Sequence, residues 1–513
     1  MTTLRPRLTT CMRSLVSLTA LTATLSACAV GPNYVRPSAP LTHAFKEGPG
    51  PQTGWSPAQP MDAIQKGAWW SVFDDAVLDG LEKRVAINNQ NVVAAEAAYR
   101  QARALTAADR ASFFPTLSVS GSGQRSGSGG GSSGTGAGTV VGGTTTTGTS
   151  TGATTTTGTT TVVGGGRSVT TYNATADASW TPDIWGKIRR QVESDTATSQ
   201  ADAAELANAT LSAQAQLATD YLTLRVLDEE KRLFDQTVAD YKRSLQITRN
   251  QYDAGVAARG DVITAQTQLL GVQAQDADIG VQRAQNEHAI ALLVGVAPAD
   301  LTIAPVPISR TVPVAPAGVP STLLQRRPDI AQAERAVKSS NALIGVQVAA
   351  YYPDINLSGS YGFEAANLGH LFESAASVWS YGGALSETVL DFGARRARVR
   401  QARAAYDQSV AQYRETVLAA FQGVEDQLAA LRIYQGEATI RDAALTSARQ
   451  AVQIALNEYR AGTQPYTTVV TAQATELQDA QSVLTVLQAR QIASVTLIED
   501  LGGGWTDADL PKK

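Results

Sequence analysis

The side chains that most often perform chemistry are few in this sequence and stand apart from one another. The histidines and cysteines are His43, His288, His370, Cys11 and Cys28. The chain has no nucleophile elbow, no phosphate-binding glycine loop and no cysteine pair at metal-ligand spacing. Met61 is the only methionine beyond residue 27, so no thioether path for copper is predicted either. The sequence therefore predicts neither an enzyme nor a metal or cofactor site, and each histidine is interpreted as a surface or packed residue.

One cysteine stands in a context that predicts modification rather than catalysis. A short arginine-bearing start is followed by the apolar run SLVSLTALTATLSAC and then by the hydrophilic AVGPNYVRP, which is the pattern of an export signal. The residues Leu25–Cys28 resemble a bacterial lipobox, in which the cysteine is lipidated and becomes the new N-terminus. We predict a signal peptide over 1–27, lipid attachment at Cys28 and a lipidated N-terminal extension over 28–70. Cys11 would leave with the signal.

The alternative to lipidation is an ordinary signal-peptidase site near Ala27 or Ala29, with an incidental cysteine. Ala29, rather than an acidic residue, follows Cys28, which resembles the class of lipoproteins that is sorted to the outer membrane. A lipid anchor holds a protein on a membrane without spanning it.

The charge balance excludes one class of partner. The formal net charge is −4 and charged residues make up 17% of the chain. Electrostatics therefore argue against a nucleic-acid partner, and no basic cluster is expected.

Four short segments predict strands that could cross a membrane. Beyond the signal, no apolar stretch of roughly 20 residues predicts a transmembrane helix. In contrast, PTLSVSGS, TYNATADASW, PDINLSGSYGF and WSYGGALSETVLDFG contain the alternation of apolar and polar residues that is typical of a barrel wall. We predict strands at about 116–122, 171–181, 354–363 and 378–390, with aromatic residues near their ends as interface anchors.

A long-range repeat places these strands in equivalent positions of two halves. YDAGVAARGDVITAQTQLL begins at Tyr252, and YRAGTQPYTTVVTAQATEL begins 207 residues later at Tyr459. Earlier in the chain the offset is larger, since FFP ending at Pro115 matches YYP ending at Pro353. The sequence therefore predicts two structural repeats rather than a series of unrelated domains.

The division into repeats fixes the remaining segments. The predicted repeats are 71–300 and 321–502, with a linker at 301–320 and a C-terminal tail at 503–513. The larger offset in the first half marks an insertion, which is the Gly/Thr-rich segment 121–170. Its composition is typical of a flexible loop, and between two membrane strands it would be extracellular.

Each half also predicts a very long helix and a shorter return helix. The long helices are predicted at about 186–254 and 393–461, and the return helices at about 261–294 and 467–501. A proline-free segment of this length would form a helix of roughly 100 Å. Ile263 and Leu270 correspond to Val470 and Leu477, seven residues apart in both copies, and predict a packing seam.

The repeated segments that begin at Tyr252 and Tyr459 would then form the turns between each long helix and its return helix. Gly255 and Gly462 stand where a helix ends in a left-handed residue. Asp261 and Thr467 are predicted N-caps of the return helices. Two equivalent turns per chain suggest a surface that is presented to a partner.

The motifs together resemble a known family over essentially the whole mature chain. They are CAVGPNYVRP, WWSVFDDAVLDGLEKRVAINNQNVVAAEAAYRQARA, LLQRRPDIAQAERAV, PDINLSGSYG, VLDFGARRARVRQARAAYDQSVAQYRETVLAAFQGVEDQLAAL and the paired turns. The chain resembles the TolC-like outer-membrane efflux channels, and in particular the NodT-family lipoprotein branch. The resemblance implies an α+β membrane protein: a trimeric twelve-stranded transmembrane β-barrel with four strands per protomer, continued by a long periplasmic α-helical barrel, with an internal two-fold repeat.

The resemblance also implies partners and a mechanism. The homotrimer would passively conduct drugs or other toxic compounds from an inner-membrane pump of the proton-driven resistance-nodulation-division type, through a periplasmic adaptor, to the outside. The adaptor would dock at the turns, on Gly255, Val256, Gly462 and Thr463. Outer-membrane lipid would surround the barrel, and no cofactor is implied.

The acidic gate that is found in many family members is not predicted for this chain. Many members have acidic side chains near the periplasmic constriction, but here Gln450 and Gln453 stand before the second turn and Glu458 comes only later, so no acidic gate is predicted. The family also includes metal-efflux channels.

A type I protein-secretion channel is the alternative function, and a surface adhesin that uses the Gly/Thr-rich loop is a more distant one.

Overall fold

A computed structural model describes residues 29–39, 45–47, 68–127, 168–313 and 326–503. The predicted signal peptide with Cys28 and most of the predicted Gly/Thr-rich loop lie outside the described residues. The chain folds as two compact units. Of the described residues, those up to 110 and those within 184–351 and 391–503 form a helical unit, and those within 111–183 and 352–390 form a strand unit.

The helices follow the duplication seen in the sequence. In the described residues they are α1 (Ala76–Asn88), α2 (Gln90–Ala111), α3 (Lys187–Asp253), α4 (Arg259–Val294), α5 (Pro328–Ala349), α6 (Ala394–Arg460) and α7 (Tyr466–Asp500). Helices α3 and α6 each contain 67 residues, and their first residues are 207 positions apart. None of the helices in the described part of the chain is both long and apolar enough to cross a membrane.

Side chains buried at seven-residue intervals pack the long helices together. On α3 they include Leu227, Phe234 and Tyr241, and on α4 they include Ala265, Val272 and Ile279. The same interval recurs on α6 at Leu445, Val452 and Tyr459. Two turns of helix bring side chains at this spacing back to the same side, so each helix contacts its return helix along one continuous seam. Helix α3 packs on α4, α6 packs on α7, and α3 also packs on α7.

The predicted seam residues are placed differently on the two return helices. Val470 and Leu477 of α7 are half-buried against the apolar cluster between the helices, whereas Ile263 and Leu270 of α4 do not face the interior of the protomer. Ile263 and Leu270 are 55% and 57% exposed, whereas the buried series begins two residues after Ile263, at Ala265. A shift of two residues turns a helical position through about 200°, so Ile263 and Leu270 lie on the opposite side of α4. Both are therefore large apolar side chains that the protomer itself leaves uncovered.

Buried ion pairs attach the start of the linker after α4 to the long helices. Arg283 donates to Asp228 at 2.7 Å, and Arg225 contacts the same carboxylate at 3.1 Å. Arg225 also donates to the Ala304 carbonyl and Arg283 to the Ile303 carbonyl, each at 2.7 Å. Asp228 is nearly fully buried, so its negative charge needs the two arginines to stabilise it. The carbonyls of Ile303 and Ala304, at the start of the linker, accept further hydrogen bonds from these arginines.

The strand unit is one antiparallel sheet in the order β1-β2-β3-β4. The strands are β1 (Thr116–Gly127), β2 (Ser168–Trp180), β3 (Asp354–Ala365) and β4 (Ser377–Ser386). The hairpin of β1 and β2 is longer than predicted, since the pairing continues to Gly127 opposite Ser168. The backbone hydrogen bonds between β1 and β2 continue through polar residues, where apolar and polar positions do not alternate and the sequence pattern therefore gives no prediction. Strand β4 ends at Ser386, four residues before the predicted end.

One carboxylate in the helical unit is buried without a partner among the described residues. Glu82 of α1 is 0% exposed, and neither of its oxygens forms a hydrogen bond with any residue that the structure describes. It lies on the same side of α1 as the buried Leu78 and Val85. Burial raises the pKa of this carboxyl from an ordinary value of 4.5 to about 9, because the charged form would lose its hydration.

We expect Glu82→Gln to stabilise the fold more strongly at about pH 8 than at about pH 5. In the unfolded chain Glu82 ionises above its ordinary pKa, whereas in the fold it stays protonated until about pH 9. The raised pKa therefore costs stability increasingly as pH rises through this window, by an amount on the order of a few kcal/mol. Thermal unfolding of both proteins across this range measures the difference, with Glu96→Gln as the exposed control. A constant difference at all pH values would contradict the prediction.

Candidate functional site

The first candidate site is the turn between α3 and α4. Gly255 has φ of +78°, in the left-handed region. Its amide donates to the Tyr252 carbonyl at 2.9 Å, and the Val256 amide donates to the Gln251 carbonyl at 2.8 Å. These two bonds form a Schellman motif, which satisfies carbonyls that the helix end would otherwise leave unpaired. The prediction that Gly255 ends the helix in a left-handed conformation is confirmed.

The turn between α6 and α7 repeats this geometry. Gly462 has φ of +72°. Its amide donates to the Tyr459 carbonyl and the Thr463 amide to the Glu458 carbonyl, each at 3.0 Å. The Thr463 hydroxyl donates to the same Glu458 carbonyl at 3.0 Å. The four residues predicted for docking therefore occupy equivalent positions in two Schellman motifs, with a glycine followed by Val256 in the first and by Thr463 in the second.

The predicted N-caps of the return helices are wrong. Helix α4 begins at Arg259 after Ala258, and α7 begins at Tyr466 after Pro465, and neither preceding residue makes a side-chain cap bond. Asp261 instead lies within the first turn of α4, where a negative charge is favourable beside the helix dipole. Each helix starts earlier than its polar residue suggests because the tight Schellman turn leaves few residues for a separate cap.

The turn glycines differ from the glycines at the other ends of the return helices. A methyl group at Gly255 or Gly462 would meet no atom within 4 Å. At Gly295 and Gly502, which end α4 and α7, a Cβ would lie 2.2 Å and 2.1 Å from a carbonyl oxygen. The second pair is therefore required by packing, whereas the first pair lies in open space. Val256, beside the first turn, is 71% exposed.

Behind the turns, a polar contact joins the two helical hairpins and an aromatic contact joins α6 to α7 within the second hairpin. Gln473 of α7 donates to the Ser244 hydroxyl of α3 at 3.0 Å, in a buried position. The rings of Tyr459 and Tyr466 are 5.1 Å apart. Burial raises the pKa of Tyr466 to about 12, so this hydroxyl stays neutral. Near the same end of α6, Gln450 and Gln453 are exposed.

The second candidate site is the sheet, whose two faces differ in chemistry. The register aligns Val119, Ala176, Tyr361 and Trp379 in one row across all four strands. The adjacent row, on the other face, is Ser118, Asp177, Ser360 and Ser380. Successive rows alternate between the faces. The large apolar residues of the first row are exposed, which indicates that something other than water covers that face.

The third candidate site is an N-terminal strap, residues 29–39 and 45–47, that packs along the helical unit. Its first residues approach the helices through glycines. A Cβ at Gly186 would lie 2.7 Å from the Ala29 Cα, and a Cβ at Gly31 would lie 2.5 Å from the Gly345 Cα. Arg190 donates to the Val30 and Gly31 carbonyls and to the Asn33 side chain, the last at 2.8 Å. The residue after Cys28 is thus fixed at the start of α3.

The strap continues from α5 to α6. The Tyr34 hydroxyl donates to Glu334 of α5, and Arg414 of α6 donates to the Ser38 carbonyl at 3.1 Å. Farther along, Glu425 accepts from the backbone amides of Lys46 and Glu47, at 2.6 and 2.8 Å. The sequence motifs that contain Tyr34 and Glu334 do not predict this hydrogen bond, because 300 residues separate the two side chains.

Comparisons with known proteins agree with this architecture. The family model "Outer membrane efflux protein" matches residues 81–296 and 319–503. The chain is 27% identical over 496 residues to the probable efflux pump outer membrane protein TtgC of Pseudomonas putida, covering 96% of each protein. It is 26% identical to the cation efflux system protein CusC of Escherichia coli, covering 94% of this chain and 96% of that protein.

Solved structures show the same fold. The outer-membrane channel OprN matches with a TM-score of 0.80 and 28% identity, over 93% of this chain and 100% of that one. The open state of the MtrE outer membrane channel of Neisseria gonorrhoeae matches with a TM-score of 0.77 and 23% identity, over 94% of this chain and 100% of that one. The sheet, the duplicated hairpins and both sets of comparisons lead to one conclusion: the chain belongs to the outer membrane efflux protein family and is the outer-membrane channel component of an efflux system.

Proposed function

We propose that this channel is the exit duct of a tripartite efflux system, through which drugs or other toxic small molecules pass passively to the outside. The observation that carries the proposal is the sheet with one apolar and one polar face, since a wall between lipid and a water-filled lumen needs both. The names of related proteins include antibiotic, toluene and cation efflux. These names favour small molecules over the secreted proteins of the alternative function.

The duct would be a closed ring of three identical chains. Strands β1 and β4 are the outer strands of the sheet, so their outward backbone groups have no partner within it. Open sheet edges are not tolerated in lipid, and four strands cannot enclose a lumen. Pairing β4 of one protomer with β1 of the next removes both edges. The family resemblance supplies the number three, which gives twelve strands.

The helical unit supports the same closure. The uncovered Ile263 and Leu270 lie on α4, which packs mainly on α3. Helix α6 has its own exposed series at Ile433, Ile440 and Ile454, at intervals that are multiples of seven. Two apolar seams with the same period suit contact between α4 of one protomer and α6 of the next. The α4 residues of the seam predicted from the sequence would then pack between chains rather than within one.

The adaptor would dock at the two turns, at Gly255, Val256, Gly462 and Thr463. The free space at both glycines and the exposure of Val256 support docking there, because neither feature is needed for the turns themselves. The adaptor would link the channel to an inner-membrane pump of the resistance-nodulation-division type.

Lipid attachment at Cys28 is also part of the proposal. Cys28 lies outside the described residues, but Ala29 packs on Gly186, which directly precedes α3. The strap therefore fixes the chain one residue after the proposed anchor. A fixed attachment point is what an acylated N-terminus in the membrane would need.

Removing the channel should raise the accumulation of fluorescent pump substrates in cells. Cells that produce Cys28→Ala should accumulate an intermediate amount of dye, and the N-terminal peptide of that variant should lack the acyl mass seen by mass spectrometry in the wild-type protein. Unchanged accumulation of several dyes after deletion would contradict the exit-duct proposal. An unmodified wild-type Cys28 would contradict lipid attachment alone.

Ile440→Asp should weaken the trimer, because it places a charge in the apolar seam between protomers. Light scattering of the purified protein should show a shift from trimer to monomer. Thr446→Asp introduces the same charge at an exposed residue outside the seven-residue series and serves as the control. A variant Ile440→Asp that stays fully trimeric would show that the seam is not an interface.

Val256→Asp should abolish dye efflux without lowering the melting temperature. The side chain is exposed and its loss leaves no cavity, so the fold is unaffected, whereas a charge would disrupt an apolar docking contact. Ile87→Asp, at another exposed apolar residue, is the matched control and should retain efflux. Site-directed crosslinking from residue 256 to the adaptor provides the direct readout. Normal efflux with Val256→Asp would contradict docking at this turn.

A further inference from the structure

A basic cluster opens helix α6. Within its first ten residues α6 has five arginines and no acidic residue: Arg395, Arg396, Arg398, Arg400 and Arg403. The expectation of no basic cluster is therefore wrong at this place. The equivalent first ten residues of α3 contain three basic and two acidic residues. The cluster is thus specific to the second repeat and does not follow from the duplicated fold.

Three of these arginines have no ionic partner among the described residues. Arg395 is bound within the fold, because it donates to Asp391 at 2.9 Å and lies over the Tyr351 ring. Arg396, Arg400 and Arg403 are exposed and form no ion pair with any residue that the structure describes. Arg396 lies in the first turn of α6, where the helix dipole disfavours a cation. Within the described protomer, no ion pair stabilises the three charges.

The side of α6 that bears the cluster is the side on which the strap lies. Arg414 and Arg432 hold the strap through the Ser38 carbonyl and the Glu47 carboxylate. Arg403 precedes Arg414 by 11 residues, and Arg396 precedes Arg403 by seven. These intervals are close to whole numbers of helical turns, so Arg396 and Arg403 lie on the same side of α6 as the strap contacts.

The cluster also lies at the level where the strap begins. A groove of about 440 Å³ between α5 and α6 is lined by Gln347 and Arg398, among others. The start of α6 is therefore beside the end of α5. Gly31 packs on Gly345, which is two residues before Gln347 on α5. A step of two residues turns a helical position through about 200°, so Gly31 and the groove lie on opposite sides of α5 but at the same level along it. The exposed arginines are thus level with the first strap residues, which directly follow Cys28.

We propose that Arg396, Arg400 and Arg403 bind the phosphate groups of anionic phospholipids in the membrane leaflet that holds the N-terminal anchor. Guanidinium groups bind phosphate through paired hydrogen bonds, and basic clusters beside a membrane attract anionic headgroups. The outer-membrane location of the protein places such headgroups in reach. The inference rests on the proposed lipid attachment at Cys28 and does not depend on what the channel conducts.

Native mass spectrometry of the purified full chain in detergent tests this proposal. Phosphatidylglycerol and phosphatidylcholine with identical acyl chains are added separately, and bound lipids are counted. The wild-type protein should bind phosphatidylglycerol preferentially. The triple variant Arg396→Gln, Arg400→Gln, Arg403→Gln should lose this preference, with roughly hundredfold weaker binding of phosphatidylglycerol. A triple variant that keeps the preference would overturn the proposal.

Matched variants separate a specific patch from general charge and from misfolding. The triple variant Arg243→Gln, Arg249→Gln, Arg460→Gln removes the same charge from exposed positions elsewhere on the long helices and should keep the preference. Replacement of the three patch arginines by lysine should also keep most of it, which shows that the altered chain still folds. Equal loss in the remote triple variant would overturn the assignment to this patch.

Peptidoglycan carboxylates are the other anions near this membrane. Co-sedimentation with purified sacculi should be the same for the wild-type protein and the Arg396, Arg400, Arg403 glutamine variant. If the variant loses sacculus binding but keeps its preference for phosphatidylglycerol, the patch binds the cell wall and the lipid proposal is wrong.

Discussion

The helical unit depends on side chains that are buried at every second turn of very long helices. Leu227, Phe234 and Tyr241 of α3 illustrate the interval, and α4 and α6 repeat it. A helix of 67 residues has no compact core of its own, so only a continuous seam can hold it against its return helix. The close agreement of the two halves, 207 residues apart in α3 and α6, follows from this constraint. An insertion within a helix that is not a multiple of seven residues would move the seam out of register.

The N-terminal strap adds a second set of long-range contacts to this frame. Arg190 binds three successive parts of the strap, and the Tyr34 hydroxyl reaches a nearly buried carboxylate, Glu334. These polar contacts join the segment after Cys28 to α3 and α5, and Arg414 extends them to α6. The strap therefore connects a proposed membrane anchor to the same helices whose far ends form the turns. The proposed anchor and the proposed docking turns therefore belong to the same set of packed helices.

Local patterns predicted the elements of the fold well, and the candidate site less completely. The left-handed glycines at 255 and 462 were predictable because only a residue without a side chain ends a helix cheaply in that conformation. Alternation indicated all four strands, since the period of two is a local property. The capping roles of Asp261 and Thr467 were wrong, because the turn geometry decides where each return helix starts. The outer bounds of β1 were missed because its last pairs are polar and carry no pattern.

The sequence by itself determined the duplication, the type and order of the elements, the positions of the turns and the family. Each of these depends on residue types at short spacing or on one constant offset. Only the tertiary structure decided that Ile263 and Leu270 are exposed, that Glu82 is buried with no partner in the described part of the chain, and that the strap lies on the same side of α6 as an arginine cluster. These facts depend on which helices pack against one another, and that packing is determined by contacts between residues that are hundreds of positions apart in the sequence. A pattern along the chain gives the apolar side of a helix, but the neighbour that covers it is fixed only by packing in three dimensions.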